Sequence, residues 1–343
     1  MLPEPRHVDK RLEQILRRGS RNVGESATMA RLMIMVTRSC ELRCAYCMVG
    51  LTEEGYGEAH SGQPDPAWQH GKTPRGDISL DTLKAGIDLM MTSPKPQLGL
   101  QYFGGEPTRR FDDVLASMQH AKTHPLRNGR PVELLLTTNG MSLDQSKIRA
   151  LADLGVVVQF SLDGGPHGNR FRRGHLLNQD EVAGRVARSI ALLNASGIAW
   201  FVNATLAPAA AGEVVECVQW AKDQGIPAIQ MTYGTGMRWS DKATAAYLSG
   251  VVQMLEHDAA HPSPFRVFNW QNGADPVPLC ADVILDVDGT VFQIGALFHE
   301  QRFPAVKPAY WRGHIRDATE FDSPRIPLGE LWALTERVLP AEG

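Results

Sequence analysis

Three cysteines, Cys40, Cys44 and Cys47, fall within eight residues, spaced C-x3-C-x2-C with an aromatic, Tyr46, just before the last. Thiols packed this closely do not make an ordinary disulfide framework, but their spacing suits wrapping one small metal centre. Iron–sulfur clusters are commonly held by four thiolates. A three-cysteine loop therefore leaves one metal ion free for another ligand. The total of five cysteines is odd and concentrated in this loop, as expected of a metal site in a reducing compartment. A zinc site completed by His60 or another residue is the competing reading of the same loop.

The loop follows a short apolar run (32–36), and the rest of the chain alternates in a regular way. Strands are predicted at 98–103, 131–140, 156–162, 198–206 and 228–233. Helices are predicted from Ser79 as N-cap, then over 111–123, 142–154, 180–195, 211–224 and 243–257. Six strand–helix units imply a parallel sheet with right-handed crossovers. That is fewer than the eight of a closed barrel. The fold class is α/β, a partial (β/α)6 TIM-like barrel with one side open. Candidate residues collect at the carboxyl ends of its strands, where sites lie in such folds. They are the cysteine loop, Gly104-Gly105-Glu106-Pro107, Asn139, Ser161, Asn203 and Gln230.

Three divisions are expected: a helical extension over 1–30, the barrel over 31–260, and a small α+β region over 261–343. The last region contains Cys280 and a hairpin signal at Asp288-Gly289, read as a type I′ turn, and ends in a helix over 328–338. A short helix is expected at 8–18 and a long Gly- and Pro-rich connection or lid at 51–77. The net charge of -3 argues against a general nucleic-acid binder. No apolar run is long enough for a membrane span, and the first twenty residues carry charges where a signal peptide needs an apolar core. A cytoplasmic protein is expected.

The cysteine motif at the end of a first strand, the GGEP turn at 104–107, T-T-N-G at 137–140 and S-L-D-G at 161–164 together resemble the radical S-adenosylmethionine (SAM) superfamily. In particular they are similar to its peptide-modifying branch, which includes the anaerobic sulfatase-maturing enzymes. The resemblance covers about 31–233. It implies one [4Fe–4S] cluster on Cys40, Cys44 and Cys47, with the amino and carboxylate groups of SAM on the open iron. It further implies that Gly104 and Gly105 let the backbone approach the methionine amine, with Pro107 completing the turn, and that Glu106 accepts from that amine. Ser161 would bond the carboxylate or ribose, Arg185 would neutralise the carboxylate, and Tyr46 would pack near the adenine. Asn139, Asn203 and Gln230 face the same end of the barrel. The implied chemistry is reductive cleavage of SAM to methionine and a 5′-deoxyadenosyl radical, which takes a hydrogen atom from the substrate.

The tail, with Cys280, D-V-D-G-T-V and W-R-G-H-I-R-D, looks like the two ends of a SPASM domain. No cysteine follows Cys280, so the resemblance implies a remnant without auxiliary clusters. Cys280 is read either as an orphan of those clusters or as a hydrogen-atom donor to a substrate radical. Cys217 sits in an apolar helical stripe and reads as core; Asp163 reads as a loop cap; His60, His70 and His167 lie in loops. The expected substrate is a ribosomally made peptide that is cross-linked, epimerised or oxidised. Leader recognition would fall to a separate protein or to the barrel's own loops, and a flavodoxin or ferredoxin would supply electrons. A small-molecule dehydrogenase, a maturase acting on a protein Cys or Ser, and a zinc-stabilised binding module are the alternatives.

Overall fold

A computed structural model of the chain describes residues 29–44, 46, 47, 49, 76–165, 168–174, 177–234, 237, 239–261, 263–267, 282–293 and 310–322. The expected helices at 8–18 and 328–338 lie outside the described residues, as do His60, His70, His167, Trp270 and Cys280. So does the long connection up to residue 75.

In chain order the elements are β1 (Met29–Met35), β2 (Leu42–Cys44), α1 (Leu80–Met91), β3 (Gln97–Phe103), α2 (Phe111–Thr123), β4 (Val132–Thr138) and α3 (Gln145–Asp153). Then come β5 (Val156–Ser161), β6 (Arg172–Gly174), α4 (Gln179–Ser196), β7 (Trp200–Leu206), α5 (Val214–Asp223), β8 (Ala228–Tyr233) and α6 (Asp241–Ala260). Four short strands follow, β9 (Arg266–Val267), β10 (Val283–Leu285), β11 (Thr290–Gln293) and β12 (Trp311–His314).

One sheet of ten strands runs β12-β11-β10-β1-β3-β4-β5-β7-β8-β9. Its centre is six parallel strands, β1-β3-β4-β5-β7-β8, each joined to the next by a crossover. Strand residues alternate between the two faces of a sheet. On β3, Leu98, Leu100 and Tyr102 are buried on the outer face, where Ser117 Oγ of α2 lies 3.0 Å from Tyr102 Oη. Gln101 and Phe103 consequently face inward. The outer face and the inner sides of the helices form one continuous apolar core. The ten strands do not close on themselves, so the sheet is a partial barrel, as expected.

The helices start where their caps dictate. Ser79 Oγ accepts the Thr82 N–H at 3.1 Å ahead of α1. Asn178 and Glu181 form a reciprocal capping box ahead of α4. Between α1 and α2, the Asp88 carboxylate lies 2.6 Å from His120 Nε2 and 3.1 Å from His124 Nε2. His124 Nδ1 accepts the Leu126 N–H, which leaves the ring proton on Nε2 and directs it at Asp88. The cluster is thus a clasp between two helices.

Two expectations need correcting. Part of the cysteine loop is a strand: β2 pairs antiparallel with β6, with Cys44 opposite Arg172. This brings β6, which follows β5, alongside Cys44. The hairpin turn at Asp288-Gly289 is also not type I′, which would need positive φ at two successive residues. Gly289 has φ +86°, whereas Asn128 is the one non-glycine residue with positive φ among those described. Gly289 N–H donates to Asp286 O and Asp286 N–H to Thr290 O, the pattern of a three-residue loop closed by a glycine bulge. The hairpin also joins the barrel sheet directly, because β10 lies parallel to β1.

α5 and α6 pack closely through a glycine. A Cβ on Gly250 would lie 2.6 Å from Val214 Cβ, whereas Gly184, on the exposed side of α4, has open space around it. Gly250→Ala is expected to lower stability by about 1–2 kcal/mol, because overpacking outweighs the gain in helix propensity. Gly184→Ala should raise it by about 0.5–1 kcal/mol. Urea unfolding midpoints of the two variants check both signs.

Candidate functional site

The three cysteines lie just beyond the carboxyl end of β1, half-buried against the core, and Cys47 N–H donates to Cys44 O at 3.1 Å. Their lead-in, 37–39, is held by the chain leaving β3. Gly105 N–H donates to Thr37 O at 2.7 Å and Glu106 N–H to Ser39 O at 2.9 Å. The approach is possible only because 104 and 105 are glycines. A Cβ on Gly104, whose φ is +145°, would lie 2.5 Å from Thr37 O, and one on Gly105 would lie 2.2 Å from Ser39 O. These glycines therefore have a structural task the sequence did not suggest, which is to let the first cysteine's backbone lie against the turn.

Glu106 follows, fully buried. Its Oε1 accepts from Thr108 N–H (3.0 Å), Thr108 Oγ1 (2.7 Å) and Thr138 Oγ1 (2.7 Å), and its Oε2 from Asn139 N–H (2.7 Å). Pro107 begins the short helical turn that Glu106 caps. Asn139 completes the link: its Nδ2 donates to Cys40 Sγ at 3.4 Å, and Leu42 N–H donates to the same sulfur at 3.3 Å. Glu106, Asn139 and Cys40 thus form one connected unit across β1, β3 and β4.

A second carboxylate lies beside this unit. Glu41 is buried, and among the described residues its two carboxylate oxygens have no hydrogen-bond partner and only Arg109, 3.9 Å away, pairs with it. Burial and then Glu41 push the Glu106 carboxyl above the ordinary range, against its four donated hydrogen bonds. Burial, and then Glu106, hold the Cys40 thiol far above its usual value, with Cys44 and Glu41 adding to the effect. A metal centre taken up by the cysteines would displace their thiol protons. The N–H donors aimed at Cys40 Sγ are the kind of interaction that tunes a thiolate-bound cluster. The donor set fits three-cysteine ligation of such a centre.

Across the mouth, Tyr46 Oη is hydrogen-bonded to Asp163 Oδ2 in the S-L-D-G segment. Asp163 is buried; its Oδ1 accepts Thr205 N–H at 3.0 Å, and its own N–H donates to Asn169 Oδ1 at 3.1 Å. The aromatic of the cysteine motif is thereby tied to the ends of β5 and β7. Ser161, Asn203 and Gln230 fall side by side on β5, β7 and β8, in direct register and half-buried. Arg185, on α4, donates to Met141 O at 3.1 Å, on the turn that follows Asn139. Cys217 is buried in the core.

Several participants carried no motif signal. Glu41, Thr108 and Thr138 are ordinary residues within recognisable segments, and only the fold shows that they converge. Arg38 and Asp286 form a buried ion pair at 2.6 Å across 248 positions of sequence. A Gln101–Thr137–Gln159 ladder crosses three strands of the inner face, with links of 3.0–3.2 Å. In sequence its members are single polar residues in apolar strands.

A sequence model of the Radical SAM superfamily matches residues 34–248. The chain is 27% identical over 249 residues to a GTP 3′,8-cyclase of Mycobacterium ulcerans (strain Agy99), covering 70% of this chain and 61% of that protein. It therefore spans less than two thirds of the length of that curated relative. Among solved structures, anSMEcpe with bound AdoMet and a Cp18Cys peptide superposes with a TM-score of 0.63 at 12% identity, covering 92% of this chain and 98% of that one. SuiB of Streptococcus suis bound to precursor peptide SuiA gives 0.57 at 13% identity, covering 92% and 69%.

Gly105→Ala would drive a Cβ into the Ser39 carbonyl, which has no flexible side chain to yield. The variant is expected to bind several-fold less iron on anaerobic reconstitution than the parent, as metal analysis would show. Glu106→Gln turns one acceptor into a donor facing other donors, and should cost about 1–3 kcal/mol in denaturant unfolding.

Proposed function

The chain belongs to the radical SAM superfamily, and on that premise we propose that it modifies a ribosomally synthesised peptide by abstracting a hydrogen atom. The family's cofactors are a [4Fe–4S] cluster and SAM, which when bound and reduced supply a 5′-deoxyadenosyl radical. In this reading Cys40, Cys44 and Cys47 hold the cluster. Asn139 and the Leu42 amide steady Cys40.

Glu106 Oε1 is saturated by three donors, while Oε2 has one and retains room for another. That remaining lone pair is proposed to take the SAM ammonium, with Gly104, Gly105 and Pro107 setting its position. Asp163 orients the Tyr46 ring, which is proposed to lie beside the adenine. Ser161, Asn203 and Gln230 are proposed to bond the polar remainder of SAM. Arg185 acts on the site through Met141.

The inner wall carries the choice of substrate. In the carboxyl-terminal half of the six parallel strands, the inward positions hold amides, hydroxyls and apolar side chains, among them Gln101, Thr137, Gln159, Ser161, Asn203 and Gln230. Among the described strand residues, the charged ones of that face, Arg31 and Glu133, lie at the opposite end, both in register with Gly99. Burying a triphosphate against such a wall would leave its charge unpaired, at a cost of several kcal/mol. Peptide N–H and C=O groups match amides and hydroxyls well. The peptide-bound neighbours support the same reading, whereas the similarity to a GTP 3′,8-cyclase supports a nucleotide one. An electron donor of the flavodoxin or ferredoxin type completes the proposed system.

The two readings separate in one assay. The anaerobically reconstituted protein should hold about four irons per chain and release 5′-deoxyadenosine when reduced with SAM present. A ribosomal precursor peptide that is its substrate is expected to raise that yield several-fold and to change in mass or take up solvent deuterium; GTP should do neither. Stimulation by GTP, with the peptide inert, overturns the peptide reading.

A further inference from the structure

We propose that Arg38 and Asp286 form a clasp that holds the cysteine loop closed, and that positioning this loop is what the C-terminal hairpin does in this chain. Arg38 stands two residues before Cys40, and Val49 two residues after Cys47. The guanidinium spans both ends of the loop. Its Nη1 donates to Val49 O at 3.4 Å, while its Nη2 pairs with Asp286 Oδ2 at 2.6 Å. Both side chains of the pair are only 4% exposed.

Asp286 is itself immobilised. Its Oδ1 accepts Val287 N–H at 2.7 Å, its N–H donates to Thr290 O at 2.9 Å, and its carbonyl accepts Gly289 N–H at 3.0 Å. The next strand fixes that turn in place: Ile315 N–H donates to Gly289 O at 2.8 Å, and His314 Nε2 lies 2.9 Å from Asp288 O. The pairing of Ile34 with Leu285 in β1 and β10 then sets Asp286 beside the chain that leads to Arg38. A continuous series of bonds runs from β12 through the hairpin turn and Asp286 to both ends of the loop.

Stability alone is a poor reason for this arrangement. A buried ion pair is often worth no more than apolar residues of similar volume. What apolar residues cannot reproduce is the geometry, in which one planar group reaches two acceptors from fixed directions. Arg38 and Asp286 are thus positioning residues for the cluster, acting through the loop. The loop's role as a cluster site comes from the family assignment.

Two variants test the clasp. Arg38→Met/Asp286→Leu removes both charges together and should unfold at a temperature close to the parent's. Arg38→Lys keeps the charge and loses the fork. In iron-free protein, Cys40, Cys44 and Cys47 of both variants are expected to react with iodoacetamide several-fold faster than in the parent, as followed by peptide mass spectrometry. After reconstitution, both should lose iron to a chelator several-fold faster. Parent-like alkylation and iron loss in both variants overturns the clasp. Should the double variant fail to fold, Arg38→Lys decides alone, and parent-like rates there overturn it equally. A parent that takes up no iron overturns the cluster reading instead, and the alkylation rates still judge the clasp.

Discussion

The site depends on one close approach. The chain leaving β1 and the chain leaving β3 run side by side without intervening side chains, because Gly104 and Gly105 have none. The two backbone hydrogen bonds this permits fix Thr37 and Ser39, and with them the start of the cysteine loop. They also place Glu106 where Thr138 and Asn139 of the next strand can reach it. A protein interior is packed too densely to absorb an extra carbon there without displacing backbone. Cysteine position, carboxylate position and strand order are therefore consequences of the same contact.

That contact also explains the electrostatics. Bringing the β1 and β3 ends together crowds Cys40, Glu41 and Glu106. Burial there disfavours the charged forms of Cys40 and Glu106. Arg109 stands off at 3.9 Å and is more than a third exposed, so solvent screens it. A cation bound beside Cys40 and Glu106 would reverse that preference. Glu106 is held by four donors, which fix its direction. A rigid carboxylate is well suited to orienting a positively charged group.

Much of this was legible in the sequence, for a simple physical reason. Strands of a parallel sheet covered by helices are apolar over six or seven residues, and the helices between them repeat every three to four. The six central strands and six helices were therefore recoverable, as was the N-cap at Ser79. Short elements with no periodicity were not. β2 and β6 are three residues each, and their pairing depends on tertiary contact alone. The hairpin was visible at Asp288-Gly289, but its turn type depends on which residue takes positive φ, and a two-residue signal does not decide that. At the site, the cysteines and the GGEP turn were readable as motifs. The Tyr46–Asp163 bond joins residues 117 positions apart and the Arg38–Asp286 pair residues 248 apart, distances over which sequence pattern says nothing.

The parallel pairing of β10 with β1 has a consequence for the order in which the molecule is made. β1 leaves the ribosome ahead of every other strand described, yet one of its two neighbours follows some 250 residues later. At roughly 5–20 residues per second, the intervening chain takes about 12–50 s to synthesise. During that time one edge of β1 is unpaired and the cysteine loop has no hairpin beside it. Contacts so distant in sequence form late, because a large loop must close before they are rewarded. The cysteine loop is therefore made some 250 residues ahead of the hairpin that completes its surroundings, and those surroundings form late in folding.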